Sequence, residues 1–308
     1  MAFRQVVKKI LPPIVSDTIR SVRKAKAYRR YLSKEGIPYS TGYFIYRKKL
    51  IMDSLKNRKL LACFRQGEFL PQGYGIGIDE RCVEYPWFIG QLDERPEILL
   101  DAGSALNYDF LLDLPILQLK EIHILTLAPE EECFWQKKVS YLFQDLRNIP
   151  IRDNYYDTIS CISTLHHIGC DNSNFTGKDS DCENRPDDFV VAIKELGRVL
   201  KYGGALSITV PFGVYCHLGI QQQFDTKMLS KAVEALAEFG EVTERFYLYS
   251  ANGWNVATKA DCVGCHYVEW TVNIWLHGEL PKPIPKEPDL AVSARAVACI
   301  RMIKKAGR

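Results

Sequence analysis

From about residue 96 onward, short apolar runs typical of β-strands alternate with amphipathic runs typical of helices. The strand-like runs are EILLDA at 97–102, EIHILTL at 121–127, SYLF at 140–143, YDTISCI at 156–162 and GALSITV at 204–210. Helix-like runs at 186–200 and 224–239 are followed by strand-like runs near 241–248 and 267–275. Strands that alternate with helices form βαβ units. The sequence therefore predicts a doubly wound α/β domain with a mostly parallel sheet over residues 70–308, ending in a helix at 291–305.

The first 60 residues are strongly basic, with sixteen Lys and Arg against three acids and a net charge of +13. The other 248 residues have a net charge of −10. Apolar residues at helical spacing, interrupted by Pro12-Pro13, predict a basic and mainly helical N-terminal region over residues 1–69. An amphipathic helix docked on the body and an anionic membrane surface bound through residues 4–34 are both open interpretations. Nucleic acid is disfavoured, because few aromatic residues are interleaved with the basic ones.

Neither a membrane span nor a secretion signal is expected. The chain has no run of about 18 apolar residues. Its first apolar run is short, broken by two prolines, and not followed by a small-residue cleavage site. The ten cysteines therefore predict free thiols in a reducing compartment. We expect a cytoplasmic protein, with attachment to the inner face of the membrane as an open hypothesis.

The junction EILLDAGSALNYDFL at 97–111 has the form of a ligand-binding turn. In open α/β sheets, ligands bind beyond the carboxyl ends of the strands. A dinucleotide site needs Gly-x-Gly-x-x-Gly, which this turn lacks, so a NAD-dependent oxidoreductase is disfavoured. The single Gly103, two residues after Asp101, suits a ligand with an ammonium group, and a helix from about Leu106 would offer free N–H groups.

Four segments, in order, resemble the motifs of class I S-adenosylmethionine-dependent methyltransferases. They are LLDAGSALN, IHILTLAPE, FQDLRNIPIRDNYYDTISCISTLHHIG and AIKELGRVLKYGGALSITVPFG, and they span about residues 97–212. The preceding GYGIGIDERCVEYPWF is similar to a subgroup from bacterial surface-polysaccharide biosynthesis clusters. The resemblance implies a Rossmann-like fold, S-adenosylmethionine as cofactor, and O-methylation of a sugar or glycan acceptor.

The resemblance also implies a cofactor site at the ends of the first four strands. Asp101, Gly103 and Ser104 would line the amino-acid end of the cofactor, although Asp101 could instead cap a helix. Thr126 stands where the family commonly has an acid for the ribose hydroxyls, and Asp145 would accept a hydrogen bond from adenine unless it is a surface carboxylate. The predicted cofactor residues are Asp101, Ala102, Gly103, Ser104, Asn107, Thr126, Leu127, Asp145, Leu146 and Ser163.

Methyl transfer to a hydroxyl requires orientation of the acceptor and a base that removes its proton. His166 and His167 follow the fourth strand, where relatives often have Glu-His, and His217 follows the fifth. A histidine titrates near neutral pH, so these three are the candidate catalytic residues, with simple packing as the alternative role. Three other residues are expected to shape the acceptor pocket: Asp171, Asp225 and Trp254.

The segment CVGCH at 262–266 matches the pattern of covalent haem attachment and of half a zinc site. Haem attachment follows export, and no second Cys-x-x-Cys completes a set of four zinc ligands. We therefore predict no metal and interpret these cysteines as free thiols.

Two hypotheses from other classes stay open besides a glycan methyltransferase. A nucleic-acid methyltransferase would use the basic leader to hold phosphates, and its binding would fall steeply with salt. A non-catalytic scaffold would retain the fold without the cofactor, with Thr126 and the missing glycines as its signs. Neither the oligomeric state nor the identity of the acceptor is indicated by any motif.

Overall fold

A computed structural model of the chain describes residues 13–33, 36–272, 274 and 280–306, with side chains from residue 21 onward. Its centre is an eight-stranded sheet with the order β3-β2-β1-β4-β5-β10-β8-β9. The strands of this sheet are β1 Glu97–Ala102, β2 Lys120–Thr126, β3 Val139–Phe143, β4 Tyr156–Ile162, β5 Leu200–Pro211, β8 Gly240–Ser250, β9 Gly253–Ala257 and β10 Ala296–Lys304. A separate hairpin contains β6 Cys216–His217 and β7 Gln222–Gln223.

The first five strands are parallel, and the last three pair antiparallel. The chain runs outward from β1 through β2 to β3, then returns to β4 on the other side of β1. The order of the strands therefore reverses between β1 and β4, which is where open α/β sheets bind ligands. The predicted doubly wound, mostly parallel, Rossmann-like sheet is confirmed.

Helices cover both faces of the sheet. They are α1 Pro13–Ser33, α2 Tyr43–Lys56, α3 Arg58–Gln66, α4 Arg81–Gln91, α5 Asp109–Leu112, α6 Pro115–Gln118, α7 Ser173–Thr176, α8 Phe189–Val199, α9 Thr226–Ala237 and α10 Lys259–Cys262. The predicted helical N-terminal extension is present as α1, and residues 1–12 lie outside the described part of the chain. Within the described helices, none is both long and apolar enough to cross a bilayer.

Alternation along β1 divides the core into two layers. Leu99 is fully buried against α2, α3 and α4, whereas Leu100 is fully buried against α8 and α9. Successive side chains of a strand point to opposite faces, so a central strand must be apolar on both. Burial of each leucine contributes about 1.5–3 kcal/mol, which fixes the register of β1 and hence the position of the turn that follows it.

The predicted C-terminal helix at 291–305 is wrong. Residues Ala296–Lys304 form β10, which pairs antiparallel with both β5 and β8 in the middle of the sheet. The two charged residues of this strand are Arg301 and Lys304, and most of the others are apolar and buried. A run that is apolar on both sides has neither the alternation of a half-buried strand nor the stripe of an amphipathic helix, so its pattern does not separate the two. Pairing with strands about 50 and 90 residues away decided its conformation, and local periodicity does not reveal such pairing.

Two further expectations are corrected. The predicted strand at 267–275 is wrong: its described residues form a 3-10 segment at Glu269–Thr271, followed by helical Val272 and Ile274, and β9 pairs with β8 instead. The helix expected from Leu106 begins only at Asp109, because Tyr108 has an extended backbone. The backbone N–H of Leu106 is bonded to a carboxylate and is therefore not free for a ligand.

Candidate active site at the carboxyl ends of the first four strands

A cleft of about 640 Å³ opens where β1, β2, β3 and β4 end. Eight of the ten predicted cofactor residues line it: Gly103, Ser104, Asn107, Thr126, Leu127, Asp145, Leu146 and Ser163. The other two, Asp101 and Ala102, are fully buried behind the turn. The structure therefore brings most of the predicted set together, and their roles stay predictions.

Asp101 stabilises the turn after β1 by accepting two hydrogen bonds. Its Oδ2 accepts a hydrogen bond of 2.7 Å from the backbone N–H of Leu106, and its Oδ1 accepts one of 2.9 Å from Ser160 Oγ. Burial raises the pKa of Asp101 to about 7, even though both hydrogen bonds act in the opposite direction. This carboxyl thus links the end of β1, the start of the next segment and β4.

Gly103 packs closely against Thr164, in the turn that follows β4. It has a φ of 107°, and a Cβ at this position would lie 2.0 Å from Thr164 Oγ1. No other residue fits there without displacing Thr164. The next residue, Ser104, continues the turn with a φ of 66°. One glycine is therefore enough to build this turn, and the missing glycines do not prevent it from forming.

Asp145 lies in a network of charges beyond β3. Arg147 donates hydrogen bonds to Asp145 and forms ion pairs of 2.6 Å with Glu183 and 2.7 Å with Asp188. Burial alone would raise the pKa of Asp145, but the hydrogen bonds from Arg147 outweigh it and lower the pKa below the usual range. The carboxylate is thus ionised at neutral pH and fixed at the wall of the cleft.

Glu130 is a cleft residue that sequence reasoning missed. Thr126 is the last residue of β2, and both Glu130, which is half-buried, and the exposed Glu131 line the cleft after it. They place carboxylates at the side of the cleft where Thr126 offers only a hydroxyl. The acidic run that follows β2, EEE at 130–132, was the available signal.

His167 is the one predicted catalytic histidine in the cleft wall. Its Nδ1 lies 2.7 Å from the carbonyl oxygen of Ile220. A carbonyl only accepts hydrogen bonds, so Nδ1 carries the hydrogen and Nε2 keeps a free lone pair in the neutral ring. Burial lowers the pKa of His167 to about 4, which keeps the ring neutral at physiological pH.

The other two histidines have different surroundings. His166 is buried, its ring centroid lies 4.3 Å from that of His167, and its Nδ1 has no hydrogen-bond partner among the described residues. Burial lowers the pKa of His166 well below its usual value. His217 is exposed on β6, outside the wall of the cleft.

Helix α4 contributes Arg81 and Tyr85 to the wall of the cleft, and sequence reasoning missed both. The fully buried Glu84 fixes this helix: it accepts hydrogen bonds of 2.7 Å from Ser163 Oγ and 2.6 Å from Thr209 Oγ1. It also pairs with Arg81 at 2.8 Å. The segment GYGIGIDERCVEYPWF was the available signal, because it carries these residues.

The residues expected to shape an acceptor pocket have local structural partners. Asp171 accepts hydrogen bonds from Ser173, Asp225 caps α9, and Trp254 is buried with its Nε1 bonded to the carbonyl of Ile78. The loop of Asp171 nevertheless contributes to the wall of the cleft through three other residues, Asn172, Asn174 and Phe175.

The CVGCH segment shows no metal centre. Cys262 is buried in the core, Cys265 is half-buried and His266 is exposed. In the part of the chain that the structure describes, no three His, Cys, Asp or Glu side chains are grouped to hold a metal ion. All ten cysteines have free thiols.

Residues 123–208 match a family model described as a methyltransferase domain. This match begins within β2, ends within β5 and includes Thr126, Asp145 and His167. No curated protein matches the chain.

Several solved structures of low identity are similar to parts of this chain. A 1,6-didemethyltoxoflavin-N1-methyltransferase from Burkholderia thailandensis is 15% identical over 69% of this chain and 72% of its own, with a TM-score of 0.39. The YcgJ protein from Bacillus subtilis is 14% identical over 70% and 95%, with a TM-score of 0.42. The N-methyltransferase NodS from Bradyrhizobium japonicum WM9 is 10% identical over 84% and 98%, with a TM-score of 0.37. At these scores, the neighbours say nothing about the acceptor of this chain. The family match on a Rossmann-like sheet confirms the predicted enzyme class and cofactor: the chain carries an S-adenosylmethionine-dependent methyltransferase domain.

Proposed function

We propose that the chain methylates a hydroxyl group of a sugar or glycan acceptor during the assembly of cell-surface polysaccharide. The observation that carries the proposal is the neutral His167 in the cleft wall, with Nδ1 fixed by Ile220 and the lone pair of Nε2 free. A hydroxyl acceptor needs a base of this kind, because its proton must leave as the methyl group arrives.

The residues of the cleft fit the parts of S-adenosylmethionine. The guanidinium of Arg81 complements the carboxylate of the amino-acid end, beside the narrow turn at Gly103. Glu130 supplies the carboxylate for the ribose hydroxyls that Thr126 lacks. The ionised Asp145 is an acceptor for the amino group of adenine.

In the proposed reaction, the cofactor supplies the methyl group and the chain supplies the base. When bound, the cofactor supplies a methyl group on sulfur, so the reaction breaks a C–S bond, forms a C–O bond and releases one proton. His167 Nε2 takes up that proton, and Ile220 holds the ring so that Nε2 remains the acceptor. The hydrogen bonds that Glu84 accepts from Ser163 and Thr209 hold α4 in place. Its residues Arg81 and Tyr85 then form part of the wall that positions the acceptor.

The choice of a sugar rests on two supports. One is the resemblance of the GYGIGIDERCVEYPWF segment to the polysaccharide subgroup. The other is the wall formed by loop 169–185. There the amide of Asn174 and the side-chain oxygen of Asn172, whose nitrogen donates to the carbonyls of His167 and Cys170, can bond hydroxyl groups. The half-exposed ring of Phe175 can face an apolar side of a sugar. The test is transfer of a labelled methyl group to glycans and nucleotide sugars, with RNA as the competing acceptor.

The basic leader supports attachment to an anionic membrane surface. Helix α1 packs on α2 through Tyr28 and Tyr31, and five exposed basic residues project from it: Arg23, Lys24, Lys26, Arg29 and Arg30. None of the five forms an ion pair with another described residue. Each basic residue near an anionic surface adds about 1 kcal/mol. The same charges support the alternative nucleic-acid acceptor, and sedimentation with anionic vesicles or with RNA separates the two.

A further inference from the structure

A second groove, of about 1020 Å³, lies on the face of the sheet covered by α2, α3 and α4. Its walls are α2, α3, the end of α4, and the short helices α5 and α6. The floor is apolar and includes Met52, Leu61, Ile89, Leu114 and Ile116. It is larger than the cofactor cleft and reaches the size of pockets that enclose small ligands.

Basic side chains without partners stand along one wall of this groove. Lys56 and Arg58 are exposed at the junction of α2 and α3, and neither forms an ion pair with any residue that the structure describes. Lys48 reaches across the groove, where its Nζ lies 4.6 Å from the ring centroid of Phe110 on α5. Exposed cations at the edge of an apolar surface attract the charged head of an amphiphile, whose phosphate accepts charge-assisted hydrogen bonds from Lys and Arg.

The acids of the groove are largely neutralised. Asp109 and Asp113 share one partner, Lys137, at 2.6 and 2.5 Å, so this trio keeps one negative charge, and Asp93 pairs with Arg95 at 3.5 Å. Lys137 and Arg95 lie outside the lining of the groove. Counting described residues alone, Glu94 is the one acid of the lining without an ion pair. The groove therefore has a net excess of unpaired positive charge at its rim.

We infer that this groove binds an anionic phospholipid, with an acyl chain along the apolar floor and the phosphate between Lys56 and Arg58. A neutral lipid would leave the cations unused, and a free phosphate would leave the floor in contact with water. An amphiphile with a phosphate at one end satisfies both features. This inference deepens the proposed membrane attachment, because it adds a binding site for one lipid molecule to the surface charge of α1.

The test uses the full chain and dodecyl phosphate, titrated by calorimetry below its critical micelle concentration. We expect saturable binding at one site, and inorganic phosphate should bind at least about 100-fold more weakly, because it lacks the chain that covers the floor. The double substitution Lys56→Glu/Arg58→Glu should weaken dodecyl phosphate binding at least about 10-fold. Unchanged S-adenosylhomocysteine binding in that variant would show that it is folded.

Two control variants separate the groove from general surface charge. Lys178→Glu/Lys227→Glu changes the same charge at exposed sites away from the groove, and Arg29→Gln/Arg30→Gln lowers the charge of α1. Both should bind dodecyl phosphate like the wild type. Failure of the folded wild type to bind, or equal losses in the groove and control variants, would overturn the inference. The proposed membrane attachment fails separately, if anionic vesicles do not sediment the wild type.

Discussion

The Nδ1 atom of His167 lies 2.7 Å from the carbonyl oxygen of Ile220, which fixes the hydrogen on Nδ1 and leaves the lone pair on Nε2. The same ring is neutral at physiological pH, because burial lowers its pKa to about 4. The ring therefore starts in the neutral form from which the proposed base would accept a proton, and the low pKa requires that proton to pass on to solvent readily.

Replacement of His167 with Gln should lower kcat for a hydroxyl acceptor by about 10²–10⁴-fold, because the base is lost while the amide can still bond to Ile220. The affinity for S-adenosylhomocysteine should change by less than about 3-fold. His217→Gln is the matched control, because His217 is exposed outside the cleft wall, and its kcat should equal that of the wild type. Equal activity of His167→Gln and wild type would exclude His167 as the base.

Asp101→Ala should weaken the binding of S-adenosylmethionine at least about 10-fold, which corresponds to about 1.4 kcal/mol. The reason is indirect: the change leaves the N–H of Leu106 and the hydroxyl of Ser160 without their acceptor and loosens the turn. Calorimetric titration measures the effect. Asp101→Asn, which retains one acceptor oxygen, should recover part of the affinity. Wild-type affinity in Asp101→Ala would mean that this turn does not form the cofactor site.

The elevated pKa of Asp101 also predicts a pH effect on stability. The folded pKa of about 7 lies above the ordinary value of 3.8, so the folded state binds more protons than the unfolded state between these limits. The contribution of Asp101 to the free energy of unfolding is therefore greatest below about pH 4 and falls as the pH rises to 7, by up to about 4 kcal/mol. Denaturant titrations of wild type and Asp101→Asn isolate this contribution. Their stability difference should shift against the wild type from pH 5 to pH 7; a constant difference contradicts the assignment.

Gly103→Ala should destabilise the fold by at least about 1–3 kcal/mol and abolish tight cofactor binding. The new Cβ meets Thr164 at 2.0 Å, and the φ of 107° is unfavourable for alanine. Gly177→Ala is a matched control, since Gly177 also has a positive φ of 69° but nothing within 4 Å of an added Cβ. It should show only the cost of the backbone conformation. If both variants lose the same stability, crowding by Thr164 is not what demands glycine.

The parallel half of the sheet could be predicted because its signals are local. Strands β1, β2 and β4 are short apolar runs followed by turns, and α8 and α9 have clear helical stripes. The last strand, β10, could not be predicted in the same way, because its partners β5 and β8 are distant in the sequence and its residues are buried on both faces.

The same contrast between local signals and distant contacts applies to the candidate site. The turn at Gly103 and the residues after β2, β3 and β4 follow directly from strand ends, so sequence reasoning located them. Arg81 is brought to the cleft by the packing of α4, through Glu84 and Ser163, and contacts of that range leave no periodic pattern. The position of Asp101 behind the turn depends equally on three-dimensional bonds, here to Leu106 and Ser160.

The most direct measurement is a calorimetric titration of the purified chain with S-adenosylhomocysteine. A turn built on Gly103 alone, with Glu130 and Asp145 in the cleft wall, predicts one site of micromolar affinity that Asp101→Ala weakens. The absence of binding in a sample that is folded by circular dichroism would contradict this account, and the chain would then be a scaffold that retains the methyltransferase fold without its cofactor.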